Sequence, residues 1–184
     1  MARARAQGDM TRPIFTVGHS TRTLAELGAI LRAHGVELLV DVRSIRRSRT
    51  NPQFNEAKLR AYLARIEIGY RVIAELGGRR SKAKPPPKHA NDAWQNSAFR
   101  NFADHAESAA FRAGLAKLLA LGKQRSVAIM CSEAVWWRCH RRIIADHLMA
   151  HHVPVVHLMS QRAATDATPT QFAVIRRGRV HYPA

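Results

Sequence analysis

The sequence predicts an α/β fold of three layers, in which helices flank both faces of a mainly parallel sheet. Short apolar segments alternate with stretches at helical spacing, as expected when crossover helices connect parallel strands. The segment 36–42 is apolar almost throughout, which indicates a strand buried on both faces. Polar residues follow several strands, at the edge where ligands bind in such sheets. We therefore expect these polar residues to converge.

The first half of the chain contains two strand–helix units and a third, weaker strand. Thr23 and Glu26 form a capping box at the start of the first helix, and Gly35 is a natural left-handed cap at its end. Gly69 is expected to close the second helix in the same way. The predicted elements are strand 14–17, helix 23–35, strand 36–42, helix 55–69 and strand 70–73.

The second half begins with a basic loop over 77–93, where three consecutive prolines stand among lysines and arginines. Helical spacing over 98–121 fits either one helix or two. Arg177-Gly178 separates two short apolar runs and predicts a hairpin turn. The remaining predicted elements are strand 126–130, helix 138–150, strand 153–159 and hairpin strands 172–175 and 179–182.

Length and composition favour one cytoplasmic domain. The 184 residues, 46% of them hydrophobic, suit a single domain over 13–184 preceded by a disordered arm over 1–12. No apolar run approaches the roughly 18 residues that span a bilayer, and the basic start lacks an apolar signal core, so no membrane partner is expected. Two cysteines are too few for a disulfide scaffold and indicate reduced thiols.

The chain is strongly basic, with 30 Lys and Arg against 13 Asp and Glu and a net charge of +17. Such a field attracts polyanions, so a nucleic acid is one expected partner. A compositional bias toward arginine and alanine explains the charge equally well. No RNA-recognition, zinc-finger or basic-zipper pattern accompanies it.

Chemistry concentrates in the segment 131–142, where a strand end joins a helix start. We expect Cys139 and His140 in the first helical turn, whose free amides bind anions and lower the pKa of a thiol. Cys131 is a candidate nucleophile, with His140 or His19 as its base. The structural alternative is that Cys131 is a small buried strand residue.

A metal is not expected at this segment. Cys131, Cys139, His140 and a carboxylate could bind zinc, but the chain has no C-x-x-C pair. We also expect Cys139 and His140 to share one helix, where adjacent side chains cannot easily ligate one ion. The sequence likewise requires no cofactor.

Polar residues at other strand ends have two interpretations each. His19 is either a general acid or base or a cap of the following helix. Asp41 and Arg43 form either a structural ion pair or part of an active site. Glu133 is the carboxylate whose pKa we expect burial to raise.

Four segments together resemble one protein family: TVGHS at 16–20, LVDVRSIRRSRTNPQF at 39–54, LGGRR at 76–80 and MCSEAVWWRCHRRIIADHL at 130–148. They resemble the domain of unknown function 488 (DUF488) family, in the family's order and over about 14–159. Ser132 and Ile45-Arg46 depart from the family's usual alanine and proline. The resemblance implies an α/β fold but no reaction. It also implies a shared pocket made by His19, Asp41, Arg43, Arg49, Cys131, Glu133, Cys139, His140 and Arg141.

The leading hypothesis is a hydrolase or transferase that binds a phosphate-bearing or nucleotide-derived anion at the strand ends. The expected catalytic residues are Cys131, Glu133, His19, His140 and Asp41. The expected substrate-binding residues are Arg43, Arg49, Arg138, Arg141 and Ser20. Two alternatives are a non-catalytic nucleic-acid-binding module that uses the basic loop, and a thiol sensor that uses Cys131 and Cys139.

Overall fold

A computed structural model describes residues 12–82 and 90–184 and confirms the α/β fold. Its main sheet has the order β3-β2-β4-β1-β5-β6, in which β6 alone runs antiparallel to its neighbour. The strands are β1 (Ile14–Gly18), β2 (Leu38–Asp41), β3 (Gly69–Val72), β4 (Val127–Cys131), β5 (Val155–Leu158) and β6 (Ala164–Asp166). The predicted arm, up to residue 11, and the centre of the basic loop, 83–89, lie outside the described residues.

Helices cover both faces of this sheet, as the sequence predicts. They are α1 (Leu24–Ala33), α2 (Glu56–Arg65), α3 (Ser97–Ala106), α4 (Ala109–Gln124) and α5 (Arg141–Ala150). The apolar faces of α1 and α2 pack on one side of the sheet, and those of α3, α4 and α5 pack on the other. Alternate residues of β2 and β4 face the two cores because successive strand side chains point to opposite faces. Each fully buried leucine contributes about 1.5–3 kcal/mol.

Several local predictions are confirmed. The Thr23–Glu26 capping box forms at the start of α1, and Gly35 has a φ of 64° just after its end. The C-terminal hairpin consists of β7 (Val174–Arg176) and β8 (Arg179–His181). Its two turn residues, Arg177 and Gly178, have φ values of 50° and 73°, as a type I′ turn requires.

Other boundaries were wrong. Gly69 does not close α2, which ends at Arg65; Glu67 takes the positive φ of 59°, and Gly69 begins β3. Of the two alternatives for 98–121, the structure has two helices; only the predicted end was wrong, because α4 continues through Gly122 to Gln124. β6 was missed because its three residues are all exposed and have no apolar pattern.

The topology places a crevice between β1 and β4. From β1 the chain crosses through α1 to β2 and through α2 to β3, and then returns through α3 and α4 to insert β4 beside β1. It leaves β4 through α5 in the opposite direction, to β5. Connections that leave adjacent parallel strands in opposite directions open a crevice beyond the carboxyl ends of those strands. No helix in the described ranges is long and apolar enough to cross a membrane.

Three buried histidines make the stability of this fold depend on pH. Burial is the main cause that lowers the pKa of His19, His147 and His157 from 6.5 to about 4. As the pH falls from about 6.5 to 4, the unfolded chain binds protons that the folded protein excludes. We therefore predict that the free energy of unfolding decreases across this window, since one pKa unit corresponds to about 1.4 kcal/mol.

Urea denaturation at several pH values between about 7 and 4 measures this dependence. His147→Gln should flatten it, whereas the exposed control His152→Asn should leave it unchanged. An equal pH dependence in wild type and His147→Gln would contradict the assignment.

Candidate functional site

The ends of β1 and β4 are held together tightly. Gly18 pairs with Cys131 in the parallel register, and the next amide, that of His19, donates to the Cys131 carbonyl oxygen at 3.0 Å. A Cβ at position 18 would collide with the Glu133 carbonyl oxygen, so this close approach requires glycine. The segment after β4 therefore lies directly across the end of β1.

An open cavity of about 570 Å³ lies at these strand ends. Its walls come from the segments that follow β1, β2, β3 and β4 and from the start of α3. The charged lining side chains are four arginines and one carboxylate. The lining residues are His19, Arg43, Ser44, Ile45, Arg47, Ser48, Asn51, Gly78, Arg79, Asn96, Ala98, Phe99, Cys131, Ser132, Glu133, Arg138, Cys139 and His140.

A buried ion pair supports the wall that follows β2. Arg43 Nη2 lies 2.6 Å from Asp41 Oδ2, and Arg43 Nε lies 2.9 Å from Asp41 Oδ1. The Tyr70 hydroxyl donates to the same carboxylate at 2.7 Å. Burial and the nearby Asp41 charge raise the pKa of Tyr70 well above its usual range, which keeps this donor protonated. The Asp41 carboxylate is therefore fully engaged by neighbouring side chains.

His19 is a buried side chain in the cavity wall. Its ring stacks on Phe54 with the centroids 4.1 Å apart, and its Nδ1 donates to the Ser20 carbonyl oxygen at 2.8 Å. Nε2 is therefore the acceptor, and it faces Arg43 Nη1 at 3.3 Å. Burial, reinforced by the Arg43 charge, lowers the pKa of His19 to about 4.

The start of α5 differs from the prediction. A short 3₁₀ turn, Trp136–Arg138, precedes an extended Cys139, and α5 begins only at Arg141. The prediction that Cys139 and His140 lie in the first helical turn is therefore wrong: Cys139 precedes the helix and His140 is its N-cap. The premise that both share one helix, used against a metal, is wrong for the same reason.

This extended geometry turns two thiols and one imidazole toward one another. His140 Nε2 donates to the Val42 carbonyl oxygen at 3.1 Å, so Nδ1 carries the lone pair. Nδ1 lies 3.5 Å from Cys139 Sγ and 3.9 Å from Cys131 Sγ. The Val42 carbonyl, one residue after β2, thereby fixes which ring nitrogen faces the two sulfurs.

The two thiols have opposite electrostatic surroundings. Arg141, itself buried, donates from Nε to Cys139 Sγ at 3.3 Å. Burial alone would raise the pKa of Cys139, but the adjacent Cys131 thiol and the Arg141 guanidinium outweigh it and lower that pKa. The interaction with Cys139 and burial raise the pKa of Cys131. Cys139 is therefore the more acidic of the two thiols.

The cavity brings together most of the predicted site residues but not all of them. Its lining includes seven of the residues predicted from the sequence: His19, Arg43, Cys131, Glu133, Arg138, Cys139 and His140. Arg49 is exposed outside it, and Ser20 does not line it. Asp41 and Arg141 do not line the cavity; both are buried and contact residues of its wall. Glu133 is exposed, so the expectation of a buried carboxylate at this position is wrong.

Sequence reasoning did not single out two further cationic lining residues, Arg47 and Arg79. Both follow strand ends, Arg47 after β2 and Arg79 after β3, which is the same signal that identified Arg43. Ser44 also has a role, because its hydroxyl accepts a hydrogen bond from the Arg79 amide at 2.8 Å and joins the two loops. Because all three residues lie beyond strand ends, the sequence could have identified them as candidate site residues.

The fold and the site define an α/β protein with a thiol, imidazole and arginine pocket at the switch point of its sheet. The chain belongs to the DUF488 family, because the family model described as "Domain of unknown function DUF488" matches residues 23–148, more than half of the chain. This confirms the family resemblance, and three of the four segments lie within the matched range. The matched range includes Asp41, Arg43 and 131–142, whereas His19 and Ser20 precede it. No curated protein and no solved structure matched the chain.

The Asp41–Arg43 pair yields a stability prediction. Asp41→Asn leaves a buried guanidinium without its counter-ion, and we predict a loss of about 3–5 kcal/mol in the free energy of unfolding. Glu56→Gln is the matched control, because it removes the partner of Arg46 in a 2.7 Å pair near the surface; it should cost less than about 1 kcal/mol. Urea denaturation measures both, and equal losses would contradict a structural role for Asp41.

Proposed function

We propose that the protein is a hydrolase or transferase that binds a phosphate-bearing, nucleotide-derived anion in the strand-end cavity and acts on it through Cys139. The observation that carries this proposal is the placement of a thiol–imidazole pair in a cavity lined by four arginines and one carboxylate. Such chemistry needs reduced thiols, for which we propose the cytoplasm.

The arginines around the cavity differ in their availability. Arg43 is neutralised by Asp41. In the described ranges, no ion pair engages Arg47, Arg79 or Arg138, all of which line the cavity. A guanidinium offers two parallel N–H donors that match phosphate oxygens. These three side chains therefore supply the expected phosphate contacts.

One part of the lining is apolar and suits a base or sugar rather than a phosphate. It includes Phe99, whose ring stacks on Trp94 with the centroids 4.8 Å apart, and Ile45, which is 52% exposed. Aromatic and aliphatic side chains that line a cavity beside cationic side chains favour a ligand with a flat apolar part and a charged part. This favours a nucleotide over inorganic phosphate.

The chemical step uses Cys139 as nucleophile and His140 as base. The Cys139 proton passes to His140 Nδ1, 3.5 Å away, while Arg141 Nε stabilises the thiolate. The sulfur attacks the electrophilic phosphorus or carbon of the ligand, and the bond to the leaving group breaks. The leaving group takes the proton from Nδ1. Water or a second acceptor then cleaves the covalent thioester or thiophosphate and restores the thiol.

The binding half of the proposal predicts a specific loss in Arg138→Ala. Calorimetric titration with inorganic phosphate, nucleoside monophosphates and nucleoside diphosphates should find a nucleotide that binds wild type. Arg138→Ala should bind it at least about tenfold more weakly, because a charge-assisted contact is worth about 1.4 kcal/mol or more. The exposed α2 residue Arg60 provides the control, Arg60→Ala, with unchanged affinity. Binding of polynucleotides only, weakened equally by both variants, would favour the non-catalytic nucleic-acid module.

The chemical half predicts the order in which the thiols react. Under limiting iodoacetamide, peptide mass spectrometry should find the label on Cys139 before Cys131. His140→Ala should slow labelling of Cys139 about tenfold or more, since the neighbouring base is gone. His152→Asn, a change of an exposed histidine away from the cavity, should not. Faster labelling of Cys131, or no effect of His140→Ala, would contradict the assignment of Cys139.

A further inference from the structure

We propose that Cys131, Cys139 and His140 bind one zinc ion through both sulfurs and Nδ1, and that bound zinc blocks the thiol centre. The zinc site itself is independent of the proposed catalytic role. The blocking effect rests on the proposed function, because a thiolate that donates charge to zinc is a weaker nucleophile than the free thiolate.

The distances between the three donor atoms suit a tetrahedral zinc site. All three lie within 4.8 Å of one another. Zinc–sulfur and zinc–nitrogen bonds of about 2.3 and 2.0 Å place neighbouring ligand atoms of a tetrahedron about 3.5–3.8 Å apart. His140 Nδ1 lies 3.5 Å from Cys139 Sγ and 3.9 Å from Cys131 Sγ. Only small side-chain movements would therefore be needed for all three to reach one ion.

The imidazole is already oriented as a ligand. Its Nε2–H donates to the Val42 carbonyl oxygen at 3.1 Å, which leaves the Nδ1 lone pair directed at the sulfurs. Histidine ligands in metal sites are typically held in this way, with the other ring nitrogen bonded to a carbonyl or carboxylate. Phe102 packs edge-on against the ring at 4.8 Å and limits its rotation.

The backbone also fixes both sulfurs. Cys131 is the last residue of β4 and pairs with Gly18, and Cys139 follows the 3₁₀ turn in an extended conformation. Arg141 Nε donates to Cys139 Sγ at 3.3 Å, a contact that remains possible when the sulfur is a zinc-bound thiolate. Sites whose ligands are ordered before binding avoid the entropic cost of assembling them.

The donor set selects the class of metal. Two thiolates and an imidazole prefer zinc and other borderline or soft ions such as Co²⁺ and Cd²⁺, and disfavour Mg²⁺ and Ca²⁺, which take oxygen ligands. Two thiolates also neutralise the charge of a divalent ion, so the bound metal adds no net positive charge that would repel the surrounding arginines. On binding, the thiol protons are released to solvent as the zinc–sulfur bonds form.

Three protein ligands leave a fourth tetrahedral position. Because all three ligand residues line the cavity, this position faces the same space as Arg138 and Ser132. A water molecule or an anion would occupy it, as in zinc sites with an open position. The spacing C-x₇-C-H gave no such signal in the sequence, since it lacks a C-x-x-C pair.

Cobalt titration of the reduced, metal-free full-length protein tests the site directly. We expect one equivalent of Co²⁺ to produce the sulfur-to-cobalt charge-transfer band and the visible bands of a tetrahedral thiolate site, and one equivalent of Zn²⁺ to abolish them. Cys131→Ser, Cys139→Ser and His140→Gln should each weaken binding by about 100-fold or more, and His152→Asn should not. No charge-transfer band, or a band unchanged by Cys131→Ser, would overturn the proposal.

A second measurement needs no variant and separates this proposal from the proposed function. One equivalent of Zn²⁺ should protect both thiols of wild type from iodoacetamide, and a chelator should restore labelling. Unprotected thiols at saturating Zn²⁺ would overturn the zinc site. The two proposals can also fail separately. If Co²⁺ gives the expected spectrum but iodoacetamide labels the metal-free protein without preference for Cys139, the zinc site is supported and the catalytic role of Cys139 is contradicted.

Discussion

The parallel pairing of β1 with β4 is the constraint on which the site depends. Insertion of β4 between β1 and β2 brings together three strand ends that are far apart in the sequence. The same insertion forces the segment after β4 to cross the end of β1. Gly18 leaves room for this crossing because it has no side chain. That segment must then turn back to α5, and the extended Cys139 lies in this return. The cavity and the thiol cluster both follow from one strand position.

Electrostatics divides the arginines of this basic protein into two groups. Arg43 and Arg141 are buried, and each is held by named partners: Arg43 by Asp41, and Arg141 by Cys139 and the Glu133 carbonyl. Burying a guanidinium is unfavourable unless its donors are satisfied, so we propose that these two residues shape the wall rather than bind ligand. Arg47, Arg79 and Arg138 line the open cavity. A net charge of +17 alone could not distinguish these roles.

The sequence predicted the fold well because hydrophobic periodicity and capping residues are local signals. Thr23 with Glu26, and Arg177 with Gly178, specify their structures through contacts a few residues apart. It predicted the site less well because the site depends on long-range contacts. The hydrogen bond from His140 to Val42 joins residues 98 positions apart, and no spacing rule reveals it. Helical periodicity predicted a helix from residue 138, whereas Arg138 ends a 3₁₀ turn, Cys139 is extended and α5 begins only at Arg141.

The direction of the His140 lone pair decides whether Cys131 and Cys139 share a base and a potential ligand. Long-range ¹H–¹⁵N NMR correlation of the metal-free, reduced protein at neutral pH assigns the protonated ring nitrogen of His140 without any substitution. The structure predicts the Nε2–H tautomer, with a hydrogen-bonded Nε2 and a free Nδ1. A protonated Nδ1 would direct an N–H bond at the sulfurs, and it would contradict both the proton transfer from Cys139 and the zinc site.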